Sequence, residues 1–356
     1  MLIKQNVGII SYGACLPDYA IPLIEIEQAQ KKKQGTVSKA LGVEQKTVPG
    51  LDEDTVTLSV DASYQALSRL NNNGDQVKNK KNNIQALFIG SESHPYAVKP
   101  SGTVVKEALG LDSKMSMVDM QFACKAGTAA LQIANNYVLA GSVKEVLAIG
   151  ADTAQAAPGD ALEFTASAGA AAFVVGKRGV LAKILATSSF ATDTPDFWRR
   201  PKQSYPQHAG RFTGGPAYFH HIVSATKNLM AEAKVEVKDI DYCVFHTPNA
   251  KFPKAVAKML GFTPAQLKYS LPVEKIGNTY AAASLIALVN VLDKAKAGEK
   301  ILVTSYGSGA GADSFLLEVT PLLEKKRKTW QSFLDQQIKN LKLINYQTYL
   351  ERIKSH

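Results

Sequence analysis

The spacing of four polar residues constrains this chain more than any other feature. In the first half a strand-like run ends at Glu92 in "LFIGSESHP", a helical pattern follows, and Cys124 stands 32 positions later. In the second half a run ends at His246 in "CVFHTPN", a helix ending "KMLGF" follows, and Asn278 again stands 32 positions later. Beyond each, a small-residue helix start leads to another buried run. "VLAIG" ends 26 positions past Cys124, and "ILVT" ends 26 positions past Asn278. Three matches in the same order predict a duplicated unit whose copies pack with pseudo-symmetry. Glu92, Cys124, His246 and Asn278 then sit at equivalent strand ends and helix starts, where α/β proteins place their sites.

The rest of the chain fits that frame. Apolar β-rich runs ("VGIISYGACLP", "QALFIGSES", "KEVLAIGAD", "AAAFVVG", "DYCVFHTPN", "KILVTSYGSG") alternate with helical patterns at 56–70 and 252–261, as in an α/β protein with buried sheets. The expected divisions are an N-terminal half over 1–180, a C-terminal half over 181–320 and a charged helical tail over 321–356. Trp330, Phe333, Leu334 and Ile338 form the apolar stripe of that tail. An Asn-rich insert at 71–83 reads as a surface loop.

At 46% hydrophobic residues the chain can bury a large core. No apolar run reaches the roughly 20 residues that cross a bilayer, and no signal peptide is legible at the start. Cys15, Cys124 and Cys243 are far apart and odd in number, so they suggest neither a disulfide framework nor a zinc site. A cytoplasmic protein without a resident metal is expected. The net charge of +10 sits in short clusters (Lys31–Lys33, Lys78/Lys80/Lys81, Lys325–Lys328), with no interleaved aromatics and no nucleic-acid-binding signature. Nucleic acid is therefore not the expected partner, whereas affinity for a small polyanion stays open.

Cys124 lies in "FACKAGTAALQIAN", where small residues suit a tight reversal into a helix. A sulfur there is beside unpaired N–H groups and the positive end of a helix dipole, both of which lower a thiol's pKa. Glu92, at a buried strand end, is expected to have a raised pKa, towards general-base range. His246 can donate a hydrogen bond or proton to a carbonyl, and the glycine-rich "SYGSGAGADSF" (305–315) brings backbone N–H groups towards a developing oxyanion. Each has a bland counterpart: a packed core cysteine, a capping carboxylate, a structural histidine, a plain turn. Their shared spacing favours the joint reading, acyl transfer through a thioester on Cys124.

The stretches "GSESHPYAVKP", "DMQFACKAGTAALQ", "AIGADTAQAAPGDALEFTASAGAAAF", "DTPDFWRR", "GRFTGGPAYF", "VFHTPNAKFP", "GNTYAAASL" and "SYGSGAGADSF" resemble the archaeal-type 3-hydroxy-3-methylglutaryl-CoA (HMG-CoA) synthases of the thiolase superfamily. The similarity runs from about Val7 to "INYQTYLERI". It implies a duplicated five-layer αβαβα fold. It also implies a ping-pong condensation of acetyl-CoA with acetoacetyl-CoA and water, giving HMG-CoA and CoA for the mevalonate route to isoprenoids. By the same resemblance Cys124 is the acetyl acceptor, Glu92 the base that deprotonates the acetyl methyl, and His246 the acid that binds acetoacetyl-CoA. Asn278 shares the carbonyl site, Ser308 lies in the oxyanion loop, and Thr165 lines the acyl pocket. Arg211, Thr213 and Lys251 face coenzyme A. Coenzyme A thioesters are then substrates and no cofactor is needed. The resemblance further implies a homodimer and a complex with an acetoacetyl-CoA thiolase, bridged by a small OB-fold, zinc-ribbon protein.

Three positions depart from the family pattern. Thr247 replaces a usual Gln, Ala255 replaces a usual Arg, and Ala281–Ala283 replaces a more Ser/Gly-rich run. A missing Arg–phosphate contact removes about 1.5–3 kcal/mol, which Lys254 or Lys258 on the same helix can restore. Two other readings follow. One is a related thiolase-fold acyltransferase or ketoacyl synthase with another acceptor or carrier. The other is a non-catalytic scaffold subunit of a thiolase complex, which has no use for a retained Cys124, Glu92 and His246.

Overall fold

The computed structural model describes residues 1–70, 83–154 and 156–353, so the Asn-rich insert, apart from its last residue, and the lysines at 78, 80 and 81 lie outside the described residues. Strands are numbered along the chain. The N-terminal part of the central sheet runs in the order β1 (Gly8–Cys15), β7 (Ala168–Gly176), β6 (Glu145–Thr153), β4 (Ile84–Gly90), β5 (Ser116–Met120). The C-terminal part runs β8 (Ala182–Ala191), β13 (Gly311–Val319), β12 (Lys300–Thr304), β11 (Tyr242–Phe245). In the first part β1–β7 and β7–β6 are antiparallel and β6–β4 is parallel. In the second, β8–β13 and β13–β12 are antiparallel and β12–β11 is parallel. Order and direction repeat strand for strand, and the parts join where Gly8 and Ile9 pair with Lys183 and Ala182. Strand β5 adds to the first part in parallel with β4 and has no counterpart in the second among the described residues.

Helices fill the layers between and outside these sheets. The helix Thr55–Leu70 buries Val56, Ser59, Ala62, Ser63, Ala66 and Leu67, a helical-period stripe, against β1, β7 and β6. The helix His220–Ala233 covers β8 and β13 in the same way. Between the sheets lie the helices Ala126–Leu139 and Ala283–Leu292, in contact with each other. The second of these is apolar nearly all round ("ASLIALVNVL") because both its faces are covered. Outer helices, sheet, inner helices, sheet and outer helices make five layers, the duplicated αβαβα arrangement.

Glycine permits the closest approach between the halves. A Cβ on Gly127 would lie 2.4 Å from the carbonyl oxygen of Ala281, and one on Gly150 would lie 2.6 Å from the same atom. The N-terminus of one inner helix and the turn before the other therefore meet without side chains between them.

The tail is helical in three pieces, with one short strand between them. It forms the helices Pro321–Arg327, Leu334–Lys339 and Tyr346–Ile353, with β14 (Lys342–Leu343) pairing in parallel to β2 (Tyr19–Pro22), which in turn pairs with β3 (Gln45–Val48). Its apolar stripe does pack inward. Trp330 and Leu334 are buried in the main core, with Phe333 and Ile338 against it, and Arg69 stacks on the Trp330 ring at 4.3 Å. A further two-stranded ribbon, β9 (Phe197–Trp198) with β10 (Gln207–His208), lies beyond β8. No helix among the described residues is long and apolar enough to cross a membrane.

Candidate active site

Strand β4 ends at Gly90, two residues short of Glu92, and the chain then turns around the buried carboxylate of Asp152. Asp152 Oδ1 accepts from Ser91 Oγ (2.8 Å), Ser93 Oγ (2.7 Å) and the Glu92 backbone N–H (2.8 Å). Its Oδ2 accepts the Ala281 N–H from the other half at 2.7 Å. Glu92 is thereby held at the seam, with Oε1 buried and unpartnered. Burial first, and the negative charge of Asp152 second, push the Glu92 carboxyl up to about 8. Asp152 is itself raised by burial, although four hydrogen bonds oppose the shift. The sequence expectation for Glu92 thus agrees in direction, and Asp152, which it missed, supplies part of the cause.

Cys124 sits on a tight turn ahead of the inner helix rather than in it. The Lys125 N–H donates to Phe122 O (3.2 Å) and the Ala126 N–H to Ala123 O (3.0 Å), while Ala123 takes φ +43°. The sulfur is buried beside Ala156, Ala166 and Tyr280, with Ala154, Leu162 and Phe197 around them. It is close enough to the Glu92 carboxyl to feel its charge. The expected lowering of the thiol pKa is corrected: burial, then the Glu92 charge, push it well above its ordinary value. A helix dipole is worth about 0.3–1 kcal/mol at such a position, less than the loss of solvation. At neutral pH both groups therefore rest protonated, a thiol beside a carboxylic acid.

His246 follows β11 by one residue and is buried. Its N–H donates to Thr304 O (3.0 Å), its carbonyl accepts from Tyr218 Oη, and its ring lies 6.4 Å, centroid to centroid, from both Tyr218 and Tyr306. Burial lowers its pKa to about 3, so the imidazole is neutral rather than a cation. Nδ1 is buried without a partner. Tyr306 links the two sides of the site, since its hydroxyl is close enough to Cys124 to feel the sulfur's charge and donates to Asp196 Oδ2 at 2.8 Å. Asn278 donates its backbone N–H to Thr165 O (2.8 Å), and its Oδ1 accepts the Tyr280 N–H (3.0 Å), which fixes the amide.

Glu92, Cys124, His246, Asn278 and Thr165 are therefore gathered at the seam. Ser308 is half-buried in a loop that Asp196 Oδ1 holds through the Gly309 N–H (2.9 Å). This loop is shorter than the sequence suggests, because Gly311 already opens β13. Arg211, Thr213 and Lys251 stand apart from the buried cluster: Arg211 and Lys251 are exposed and Thr213 is half-buried. Tyr218 fastens their two segments together, ring against Phe252 at 4.9 Å, so all three belong to one rim beside His246. Ala255 is half-buried on the helix Lys251–Leu260, and Lys254 is held by Glu274 at 2.7 Å, so it is already engaged elsewhere.

A duplicated α/β fold that buries a cysteine against a carboxylate, with a neutral histidine and an amide across the seam, defines a condensing enzyme of the thiolase superfamily. Comparison with known proteins agrees. Residues 118–193 match the family described as 3-oxoacyl-[acyl-carrier-protein (ACP)] synthase III, and residues 230–319 match its C-terminal family. The chain is 48% identical over 348 residues to the hydroxymethylglutaryl-CoA synthase of Archaeoglobus fulgidus, covering 97% of this chain and 98% of that one. It is 50% identical over 318 residues to that of Methanocaldococcus jannaschii, covering 89% and 90%. A solved structure of MvaS in complex with 3-hydroxy-3-methylglutaryl coenzyme A shares the fold at a TM-score of 0.89 and 22% identity, over 99% of this chain and 92% of that one. The HMG synthase of the curacin biosynthetic pathway, in complex with holo donor-ACP, superposes at 0.83 with 21% identity, over 98% and 88%. The chain belongs to the hydroxymethylglutaryl-CoA synthase family.

Proposed function

We propose that the chain condenses acetyl-CoA with acetoacetyl-CoA and water to give HMG-CoA and free CoA. The observation that carries this reading is the buried Cys124 sulfur beside the buried Glu92 carboxyl, whose Oε1 has no hydrogen-bond partner. In the first step the Cys124 sulfur attacks the acetyl thioester. The bond to coenzyme A breaks, and the thiol proton leaves through Glu92 to the departing thiolate. Backbone N–H groups at Cys124 and in the Ser308 loop face the oxyanion. In the second step the Glu92 carboxylate removes a proton from the acetyl methyl, and the carbanion adds to the ketone of acetoacetyl-CoA. Neutral His246 and Asn278 donate hydrogen bonds to the ketone oxygen, and the proton taken from the methyl is the one the alkoxide then needs. Water finally cleaves the Cys124 thioester. Thr165 bounds the acyl chamber, while Arg211, Thr213 and Lys251 on the rim receive coenzyme A.

This chemistry calls for no resident metal or redox cofactor. The same reading includes a cytoplasmic setting, halves divided near 180 with a tail from 321, and a homodimer. The edge strand β5 supports the dimer: among the described residues no strand pairs with its outer side, and Val118 is 51% and Phe122 38% exposed, next to the nucleophile turn. Association with an acetoacetyl-CoA thiolase through an OB-fold, zinc-ribbon protein is part of the proposal, and co-purification of the three tests it.

The decisive experiment separates the two steps. Mass measurement after mixing with acetyl-CoA should find an acetyl group on Cys124. Glu92→Ala should still acquire it yet lose about 10²–10⁴-fold in HMG-CoA formation, the usual worth of a general base. Near-normal condensation by folded Glu92→Ala would refute the assignment.

A further inference from the structure

Lys125, the residue after the nucleophile, is buried rather than solvated. Its Nζ lies 2.9 Å from Asp313 Oδ2 and 4.1 Å from the centroid of the Phe122 ring. Asp313 belongs to β13 of the other half and is fully engaged. Oδ2 also accepts from Thr128 Oγ1 (3.2 Å), and Oδ1 accepts from Ser189 Oγ (2.8 Å). Thr128 Oγ1 further meets Ser305 Oγ at 2.6 Å. The ammonium is thus tied to a braced carboxylate, while its own backbone belongs to the Cys124 turn.

The stem of Lys125 has a second neighbour. Gly307 and Gly311 exchange two backbone hydrogen bonds (2.8 and 2.9 Å), closing the loop that carries Ser308 into a clasp. A Cβ on Gly307 would lie 2.6 Å from Phe122 O and 3.0 Å from Lys125 Cγ, and one on Gly311 would lie 3.1 Å from Lys125 Cε. The clasp rests directly on the lysine stem. A buried ion pair is a poor source of stability, since apolar replacements often serve as well or better. A geometric role accounts for one placed between a nucleophile and a glycine clasp.

We propose that Lys125 is a positioning residue: locked onto Asp313, its side chain sets the distance between the Cys124 sulfur and the Gly307–Gly311 loop, so that sulfur and oxyanion donors act on one carbonyl. This rests on the acyl-transfer reading of the loop given above.

The test uses the full chain and two kinds of reagent. Iodoacetamide alkylates the sulfur by direct displacement of iodide and needs no oxyanion site. Acetyl-CoA and p-nitrophenyl acetate acylate it through a tetrahedral oxyanion, losing thiolate or nitrophenolate. Lys125→Met/Asp313→Asn removes both charges and leaves no buried charge unpaired. It is expected to acylate about 100-fold more slowly with either donor, the scale of a misplacement near 1 Å. KM for acetyl-CoA should stay within about twofold, and the alkylation rate and its pH midpoint should not change. Acylation at the wild-type rate, or acylation and alkylation falling together, would overturn the proposal. So would a shifted midpoint, which makes Lys125 an electrostatic neighbour of the thiol. Should the double variant not fold, Lys125→Arg keeps the pair but places a planar fork against the clasp. The same selective loss is expected, and a wild-type rate overturns the idea. Wild-type protein acylated by p-nitrophenyl acetate but not by acetyl-CoA would remove the coenzyme A reading and leave this test standing.

Discussion

Asp152→Asn tests how the base is tuned. Glu92 titrates near 8 because it is buried and because Asp152 stands behind it. A like charge within the roughly 4–6 Å over which neighbours shift a carboxyl, at an effective dielectric of about 20, repels by about 3–4 kcal/mol, or about 2–3 pKa units. Neutralising Asp152 should lower the Glu92 pKa by about 1–2 units, while burial keeps it above an ordinary carboxyl. Asparagine Oδ1 can still accept from Ser91, Ser93 and the Glu92 N–H, so the turn persists. Its Nδ2 instead meets the Ala281 N–H donor, at a cost of about 1–3 kcal/mol in stability. The assay is the pH dependence of kcat/KM for acetoacetyl-CoA, which reports the acetyl-enzyme. There the sulfur is acylated and carries no thiol proton, so the wild-type rate should rise with pH to a midpoint at or above about 8. In Asp152→Asn that midpoint moves to lower pH, whatever happens to the plateau. A midpoint that stays, or moves up, refutes both the role of Glu92 as base and that of Asp152 in tuning it.

Glu92→Gln should raise the melting temperature. The native protein holds a proton on Glu92 between about 4.5 and 8 that the unfolded chain does not, so wild-type stability falls across that window by about 1.4 kcal/mol per pH unit. The gap between variant and wild type should widen from pH 5 to 8 and then level off in calorimetry; a constant gap contradicts the raised pKa. Ala255→Arg adds a cation on a helix whose Lys254 is already paired, so KM for coenzyme A substrates should fall with kcat unchanged in steady-state kinetics. No change in KM would indicate that this helix does not meet the carrier. Gly127→Ala forces a Cβ to within 2.4 Å of Ala281 O and should cost about 1–3 kcal/mol or more by denaturant titration. A neutral result would mean that the seam yields easily.

Some of this was readable from the sequence because spacing survives when residue identities diverge. Four polar positions and two strand ends sufficed to expose the duplication. Asp152 also left a signal: "IGSE" and "IGAD" each place an acid two residues past a glycine. Gly90 and Gly150 are register partners on neighbouring parallel strands. Two carboxylates in equivalent places on adjacent strands must be close. Lys125 left none, since its partner is 188 residues away and a lysine after a cysteine looks like any surface lysine. The thiol pKa was misjudged because the helix dipole is visible in sequence and burial is not. The strand within the tail left no signal, because the pairing of β14 with β2 spans more than 300 residues.

The seam explains why both copies of the unit are needed. The N-terminal half supplies sulfur and carboxylate, and the C-terminal half supplies imidazole and amide. Four of the bonds that cross between them meet at or beside the two helix starts: Asp152 to Ala281, Thr165 to Asn278, Lys125 to Asp313, Thr128 to Ser305. A backbone N–H in one half thus holds the carboxylate that tunes the base in the other, and the nucleophile's neighbour is anchored in the opposite sheet. Neither half alone can set the pKa of Glu92 or the distance from Cys124 to the Ser308 loop. An α/β unit that places its polar residues at strand ends gains a chamber only when a second copy faces it, and gains different acids and bases only when the copies diverge at those ends. Divergence from a shared frame is what Glu92 against His246, and Cys124 against Asn278, amount to.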